Sequence, residues 1–538
     1  MAIDMLPAMQ PVEMNDATFT SLSKDNAFYQ AEVAGLKVVV LSAPYVQPKD
    51  LKVLADAAKN PSQFILGLNQ VYYLRGNLLV QLAYRQVGTT VYVYGVQSIL
   101  ERFEAPNGIE GFFESLEGDQ DLTVAEYERR RVLANIQSGR QGINYGVTYK
   151  VSADLRRTSV SLAPRETDLD TTSFTVDVGN QGNRFIGRNF AHAGLSTGFD
   201  NGVEVRFDYH KALTSIGDAN EDNEYDGIVF AADVATRAGL YGIDVTNAEY
   251  RRLVTERSGG GLGCGFLGSC NQEVVLLDLD AEMTRVGISG QQILKAVPGK
   301  RLTISQRLDT ISDETEDFRQ GVILDESYRV AELGTKYVTA GWGRNRKDSF
   351  QLGLSVKKGF GGDGGTFEAI DDETVVGPGR RSGDFIIVAP SIAAAFDVSE
   401  RGRLSMSLSS QFALDEQVPQ AQQYALGGMS SLSAYLPGVL VGDSGYYGRL
   451  SLGRTPAESG FSISPSVFVE MGSARFENVT GELDEERRIS SAGVGLQLNA
   501  GKSVELSVVA ARGVSSNLDD DYLEEYEVDA FAKLKVKF

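Results

Sequence analysis

The chain has few of the residues on which most enzymes depend. Its 538 residues include two cysteines, two histidines and one tryptophan. His192 and His210 lie far in sequence from Cys264 and Cys270, so the spacing of a metal site is missing. No histidine is placed as a base near a serine or cysteine nucleophile. We therefore predict a protein that is not an enzyme and that holds no metal or cofactor.

Positive charge and long hydrophobic runs are scarce as well. The formal net charge is −21, whereas nucleic-acid binders carry a basic surface, so no nucleic-acid partner is expected. No run approaches the roughly 20 apolar residues of a membrane helix. The first residues, Met-Ala-Ile-Asp-Met-Leu-Pro, show no basic region followed by an apolar run, so no secretory signal is predicted in them. A membrane barrel stays compatible with this composition, because its lipid-facing and inward-facing residues alternate and cancel in any hydropathy average.

The two cysteines lie in a glycine-rich run between residues 259 and 270. Cys264 and Cys270 either form a disulfide, which would imply an oxidising compartment, or remain two free thiols. The same run fits the dinucleotide fingerprint G-x-G-x-x-G, but no β-α-β pattern surrounds it. A loop is the prediction here, and not a cofactor site.

The last eight residues alternate between apolar and basic side chains. Lys533, Lys535 and Lys537 are interleaved with apolar residues, and the chain ends on Phe538. In a strand this pattern puts the apolar side chains on one face and the ammonium groups on the other. Such a strand is typical either of a protected edge in a soluble protein or of a membrane barrel with a polar interior.

The chain divides into regions of different periodicity. We predict an N-terminal segment at 1–25, small α/β domains at 26–98 and 99–166, and a β domain at 172–538. In the first α/β domain, a strand is followed by a helix opened by Pro48, a second helix capped by Ser62, and a hairpin. In the second, Thr123 and Glu126 form a capping box before a long helix.

Beyond residue 172 the sequence consists of alternating segments separated by polar loops. Leu404, Met406 and Leu408, for example, are interleaved with serines. Segments of about ten residues with this pattern match transmembrane strands, and the region accommodates about 16 of them. The predicted fold class is an all-β transmembrane barrel of antiparallel strands preceded by two small α/β domains.

A glycine-rich motif in the last third carries a family resemblance. The motif runs from a strand through a long loop to a returning strand, and its distinctive residues are Gly427, Gly428, Ser431, Leu432, Tyr435, Gly442, Asp443 and Gly445. A later strand reads Phe468-Val-Glu470-Met-Gly472. Together these resemble the outer-membrane superfamily that includes BamA and the two-partner secretion transporters (TpsB, or ShlB/FhaC/HecB-like proteins). The two α/β domains resemble that family's POTRA domains.

The resemblance implies that the long loop folds back into the barrel and is held there by an acidic residue. Alternation places Glu470 on the small and polar face of its strand, as an inward-facing carboxylate requires. The loop departs from the family at its tip, where Ser433-Ala434 replaces Arg-Gly. Glu470 is therefore expected to pair with Arg449 on the returning strand or with an inward-facing lysine.

The resemblance also implies a function. The chain would sit in the bacterial outer membrane with its POTRA-like domains in the periplasm, and would export an unfolded, secreted partner polypeptide. Lipid and lipopolysaccharide would surround the barrel, and the assembly machinery would recognise the strand ending at Phe538. The partner is expected to add a strand at Leu78–Arg85 or Asn144–Val151. A BamA/TamA-like assembly factor and a surface structural or adhesive β protein are the alternatives.

Overall fold

A computed structural model of the chain shows two α/β units followed by a closed barrel. No helix in the described residues has the length and apolar character required to cross a membrane. The structure describes every residue except 1–2, 25, 107, 166–169, 184–186, 215, 217–222, 259–271, 319–320, 342–347, 364–380, 415–416, 455–459 and 478–485.

The first unit is a five-stranded sheet with two main helices. Its elements are β1 Val12–Glu13, α1 Asp16–Ser21, β2 Tyr29–Val33, β3 Leu36–Ser42, α2 Pro48–Ala57, α3 Pro61–Leu74, β4 Val80–Val87 and β5 Thr90–Gln97. The strand order is β1-β4-β5-β3-β2. Pro48 begins α2 as predicted, but the cap of α3 is Asn60 and not Ser62. The reason is Pro61, which needs no hydrogen-bond partner for its nitrogen and therefore suits the first helical position.

The second unit is smaller. It contains β6 Ile99–Glu104, α4 Glu110–Phe113, a 3-10 turn at Glu114–Leu116, α5 Val124–Arg140, β7 Asn144–Val151 and β8 Arg157–Arg165. The sheet order is β6-β8-β7. The Thr123–Glu126 capping box is present at the start of α5. One face of α5 packs on the sheet in a core that includes Phe103, Tyr127 and Leu133.

The barrel is closed by 16 antiparallel strands, so the predicted fold class is confirmed. Its strands are β9 Thr172–Gly179, β10 Phe190–Gly198, β11 Val203–Ala212, β12 Glu224–Thr236, β13 Gly239–Ser258, β14 Gln272–Val297, β15 Lys300–Asp317, β16 Gly321–Ala340, β17 Ser349–Asp363, β18 Ile386–Asp397, β19 Gly402–Ala413, β22 Ser444–Arg454, β23 Phe461–Arg475, β24 Arg487–Ala500, β25 Val504–Ser516 and β26 Phe531–Lys537. Two short strands, β20 Tyr424–Leu426 and β21 Leu440–Gly442, lie between β19 and β22, and helix α6 spans Asp520–Glu524.

Successive residues of a strand face opposite sides of the barrel wall. Val469 and Met471 are about half exposed on the outside, whereas Glu470 between them is buried. The last strand shows the same alternation, with Leu534 outward and Lys533 paired to Asp177 at 3.0 Å. β26 pairs with both β25 and β9 and so closes the barrel.

The second α/β unit is fastened to the barrel rim at the short turns between strands. Arg140, at the end of α5, donates to the Gly202 carbonyl oxygen at 2.7 Å and to Glu204 at 3.1 Å, and it also pairs with Asp233. Ile293 and Ala296 of β14 join the apolar core of this unit. Because Arg140 is buried and serves three acceptors, we expect it to fix the unit on the rim.

Replacing Arg140 by alanine should loosen this contact without unfolding either part. The substitution leaves Glu204 without this cation and Asp233 with Arg206 alone, at 3.4 Å, and a charge left poorly paired in a partly buried site is costly. Hydrogen exchange of the residue 199–204 turn should rise about tenfold or more. Arg129→Ala, at an exposed position of the same helix, is the matched control. Equal exchange in the two variants would contradict a fastening role for Arg140.

Candidate functional site

The loop between β20 and β21 turns back inside the barrel. We call residues 427–442, which are this loop together with β21, the inner loop. Its first turn uses positive φ angles at Gly427 and Gly428, of 120° and 92°. The Gly428 N–H donates to the Tyr435 carbonyl oxygen at 2.7 Å, and the Gly438 N–H donates to the Leu426 carbonyl oxygen at 3.0 Å. The Ser431 hydroxyl bonds to the Gly427 backbone at 3.1 Å and closes the turn.

Glu470 of β23 binds the tip of the inner loop. Its Oε2 accepts the Ser433 N–H at 2.7 Å, and its Oε1 accepts the Ser433 hydroxyl at 2.8 Å. Ser491 of β24 adds a hydroxyl donor to Oε2 at 3.1 Å. The Glu470 side chain is completely buried. A buried carboxylate is stable only when its oxygens are satisfied, and here the loop supplies two of the donors.

Arg449 supplies the positive charge at this site. It is the cross-strand neighbour of Glu470, and its Nη1 lies 3.0 Å from Glu470 Oε1. The guanidinium carbon lies 3.8 Å from the centre of the Phe468 ring, a cation–π arrangement. The ion pair therefore belongs to the barrel wall, and the inner loop attaches to it through Ser433. This places Glu470 beside Arg449, one of the two partners that the sequence left open.

The apolar side of the inner loop packs against neighbouring strands. Leu432 and Tyr435 are buried in a core shared with Phe468. A Cβ atom on Gly472 would lie 2.6 Å from the Leu426 side chain and 3.1 Å from Leu432. Small residues in the wall therefore create the space that the loop fills.

The connection between β25 and β26 covers the inner loop from the other side. The Leu436 N–H donates to the Tyr526 carbonyl oxygen at 2.7 Å, and the Val528 N–H donates to the Ala434 carbonyl oxygen at 3.0 Å. Leu523 and Tyr526 are buried in the same core as Tyr435. From its charge alone the acidic run 519–527 would be a solvated loop, but the structure buries two of its apolar residues. Its apolar residues pack on the inner loop while its carboxylates face outward.

Asp443 fixes the point at which the inner loop returns to the wall. Its carboxylate accepts the Val418 N–H at 3.0 Å and the Glu477 N–H at 2.9 Å. A side chain at Gly442 would clash with the backbone of Arg475, and one at Gly445 would clash with the Ser473 carbonyl oxygen. Asp443 thus connects two other loops to the end of the inner loop.

The residues of both sequence motifs therefore come together in one site. Sequence reasoning missed Ser433 as a ligand of Glu470, together with Ser491, Tyr526 and Gly513. The signal for Ser433 was its place at the loop tip, where the related family has an arginine. The serine hydroxyl and backbone N–H can donate to the carboxylate in place of that longer side chain. Gly513 leaves room for the Tyr435 hydroxyl. Among the described residues no group of three or more potential metal ligands is present.

Phe538 lies apart from this site. Phe538 pairs with Phe174 of β9 through two backbone hydrogen bonds of 2.8 and 3.3 Å, and its ring is largely exposed. Cys264 and Cys270 lie outside the described residues.

Comparisons with known proteins show which folds this chain is similar to. A search of curated proteins found no match. Among solved structures, CdiB from Escherichia coli matches with a TM-score of 0.67 at 12% identity, covering 96% of this chain and 92% of that one. CdiB from Acinetobacter baumannii matches with a TM-score of 0.59 at 10% identity, covering 99% and 95%. These matches show the same fold.

A family model matches the part of the barrel that contains the site. Residues 314–498, which include the inner loop, Arg449 and Glu470, match the family described as haemolysin secretion/activation protein ShlB/FhaC/HecB. The resemblance to the ShlB/FhaC/HecB-like family that the sequence predicted is thereby confirmed for these residues.

Proposed function

We propose that the chain is an outer-membrane transporter of the two-partner secretion type, which exports an unfolded partner polypeptide through its barrel. The observation that carries this proposal is the inner loop, which is held across the barrel interior by Ser433 and Glu470. The loop tip is joined to the wall's ion pair through one serine, so this contact can be released while the Arg449–Glu470 pair remains within β22 and β23. The loop would close the path at rest and open it during export.

The barrel interior supports passage of an extended chain. Arg307 bridges Asp244 at 2.7 Å and Asp309 at 2.8 Å, and Arg285 reaches the same Asp309 at 3.0 Å. Asp244, Arg285 and Arg307 line a cavity of about 580 Å³. A passing backbone could exchange hydrogen bonds with such a surface at little net cost. We further propose that the α/β units face the periplasm and that lipid and lipopolysaccharide surround the barrel.

The partner would first bind the α/β units by strand addition. Of the two strand edges predicted for this, Leu78–Arg85 was wrong, because β4 lies between β1 and β5 in the sheet. Strand β7 is the last strand of its sheet, but Ile3 forms a bridge with Tyr145 on it. The outer edge of β2, Tyr29–Val33, is the better candidate for first contact, since it ends its sheet.

Export is tested by expressing the chain in a bacterium with an outer membrane, together with the polypeptide encoded beside its gene. We expect that polypeptide in the medium when the chain is present and in the periplasm when it is absent. The same cells are probed for other outer-membrane barrels. A fall in those barrels without export would instead support an assembly factor, and no change in either would support a surface structural protein.

A further inference from the structure

The first residues of the chain form an extended strip across both α/β units. We call residues 3–14 the leading segment. The Asp4 N–H donates to the Tyr145 carbonyl oxygen at 3.3 Å, next to the parallel bridge between Ile3 and Tyr145 of β7. Further on, β1 pairs in parallel with β4, and the Met14 N–H donates to the Tyr84 carbonyl oxygen at 2.9 Å. The leading segment therefore covers β7 and then β4.

Side chains of the α/β units bind the backbone of the leading segment. Arg131 donates to the Ile3 carbonyl oxygen at 2.8 Å, and Tyr127 donates to that of Asp4 at 3.1 Å. Tyr149 donates to the Pro7 carbonyl oxygen at 2.9 Å. Gln81 donates to the Gln10 carbonyl oxygen at 2.9 Å. Backbone carbonyls are common to all sequences, so these donors recognise an extended chain and not a particular side chain.

Arg131 is oriented for this contact. Its Nε and Nη2 bind both oxygens of Glu128, at 2.7 and 2.6 Å, which leaves Nη1 directed at the leading segment. Both side chains are about 5% exposed. Burial also raises the pKa of the Tyr127 hydroxyl, so this group stays a donor.

Apolar side chains of the leading segment enter the core at every third position. Ile3, Leu6 and Met9 are at most 2% exposed and belong to the same core as Tyr127 and Tyr145. A period of three is that of a polyproline II strand, and Pro7 and Pro11 favour this conformation. The intervening Pro7 and Gln10 side chains are exposed.

We propose that the groove formed by Tyr127, Arg131, Tyr145 and Tyr149 is a binding site for an extended polypeptide with an apolar residue at every third position. The leading segment is its internal occupant and competes with an incoming chain. The identification of the physiological ligand as a segment of the exported partner rests on the proposed function. The existence of the binding groove does not depend on that function.

Competition follows from tethering. The leading segment is covalently attached, so its effective concentration at the groove is in the millimolar range for a short connection. A free peptide at micromolar concentration should therefore fail to displace it from the unsubstituted chain. Weakening the occupant should make the groove accessible.

The test uses the full chain in detergent and a fluorescent synthetic peptide with the sequence of residues 3–14. Leu6→Asp with Met9→Asp in the chain should release the leading segment, because each places a carboxylate in an apolar site. We expect this double variant to bind the peptide at least tenfold more tightly than the unsubstituted chain. Gln10→Asp with Ala17→Asp adds the same charge at exposed side chains and should behave like the unsubstituted chain.

A peptide carrying the Leu6→Asp and Met9→Asp changes should not bind any of the three proteins. Equal binding of the native peptide to all three, or no binding to the double variant in its folded barrel form, would overturn the proposal. Neither result depends on export, so failure here and failure of the transport function can be distinguished.

A second variant answers the question if the double variant does not fold. Tyr149→Phe removes one donor and no apolar contact. Loss of one such hydrogen bond should raise hydrogen exchange of the leading segment roughly 2- to 10-fold, with barrel amides unchanged. Unchanged exchange of residues 3–14 would contradict recognition of the backbone by the groove.

Discussion

Replacing Glu470 by alanine should release the inner loop and open the barrel. The change removes both acceptors of Ser433 and leaves the Arg449 guanidinium without its carboxylate. The lost ion pair weakens the wall whether the loop is bound or released, so the loop is released by losing the two Ser433 hydrogen bonds to the charged carboxylate, which together contribute about 3 kcal/mol. That shift raises the population with a released loop by roughly a hundredfold.

Conductance across a planar lipid bilayer measures this opening. Long open events should replace rare ones in the Glu470→Ala variant. Glu470→Gln keeps the size of the side chain and one acceptor for Ser433, so its opening should be intermediate. Glu505→Ala, at a carboxylate of β25 outside the inner-loop site, is the control and should conduct like the unsubstituted chain.

Two outcomes would count against this account. If Glu470→Ala conducts no more than the control, the inner loop is held by its apolar contacts alone. If Glu470→Gln opens the barrel as fully as alanine, the charge matters and the hydrogen bonds to Ser433 do not. Ser433→Ala then separates the two contributions, because it removes the hydroxyl and keeps the backbone N–H.

The barrel could be predicted because its signal is local and repeated. Each strand shows the period of two by itself, as in the alternation of Leu404, Met406 and Leu408 with serines. The inward direction of Glu470 followed from the same rule. Alternation does not show how far a loop reaches along the barrel axis. The bond between Glu470 and Ser433 therefore could not be predicted from the two positions.

The missed cover of β4 and the missed packing of the acidic run have a common physical origin, namely short elements that contacts elsewhere in the fold stabilise. Strand β1 has only two residues, and no periodicity can show in so short a piece. Its pairing with β4 nevertheless removes the edge that had been expected there. In the acidic run, Leu523 and Tyr526 are three positions apart and surrounded by carboxylates. These two side chains are buried only because the inner loop packs against them.

Replacing Gly427 by alanine should also open the barrel, for a reason that is steric. The φ angle of 120° at Gly427 lies in a region that residues with a Cβ rarely adopt. An added Cβ would in addition clash with the Leu436 carbonyl oxygen and lie 3.0 Å from Pro437. The turn that begins the inner loop therefore cannot close, and protease cleavage within residues 427–442 should accompany the increase in conductance.

Gly438 is the matched control within the same loop. Its φ is also positive, at 89°, but a Cβ there would meet open space. Gly438→Ala thus costs only backbone strain, about 1–2 kcal/mol, whereas Gly427→Ala adds a collision with main-chain atoms that cannot move aside. We expect the Gly438→Ala barrel to stay closed most of the time. Equal conductance in the two variants would show that backbone strain, and not the packing of the first turn on Leu436, decides whether the inner loop stays inside the barrel.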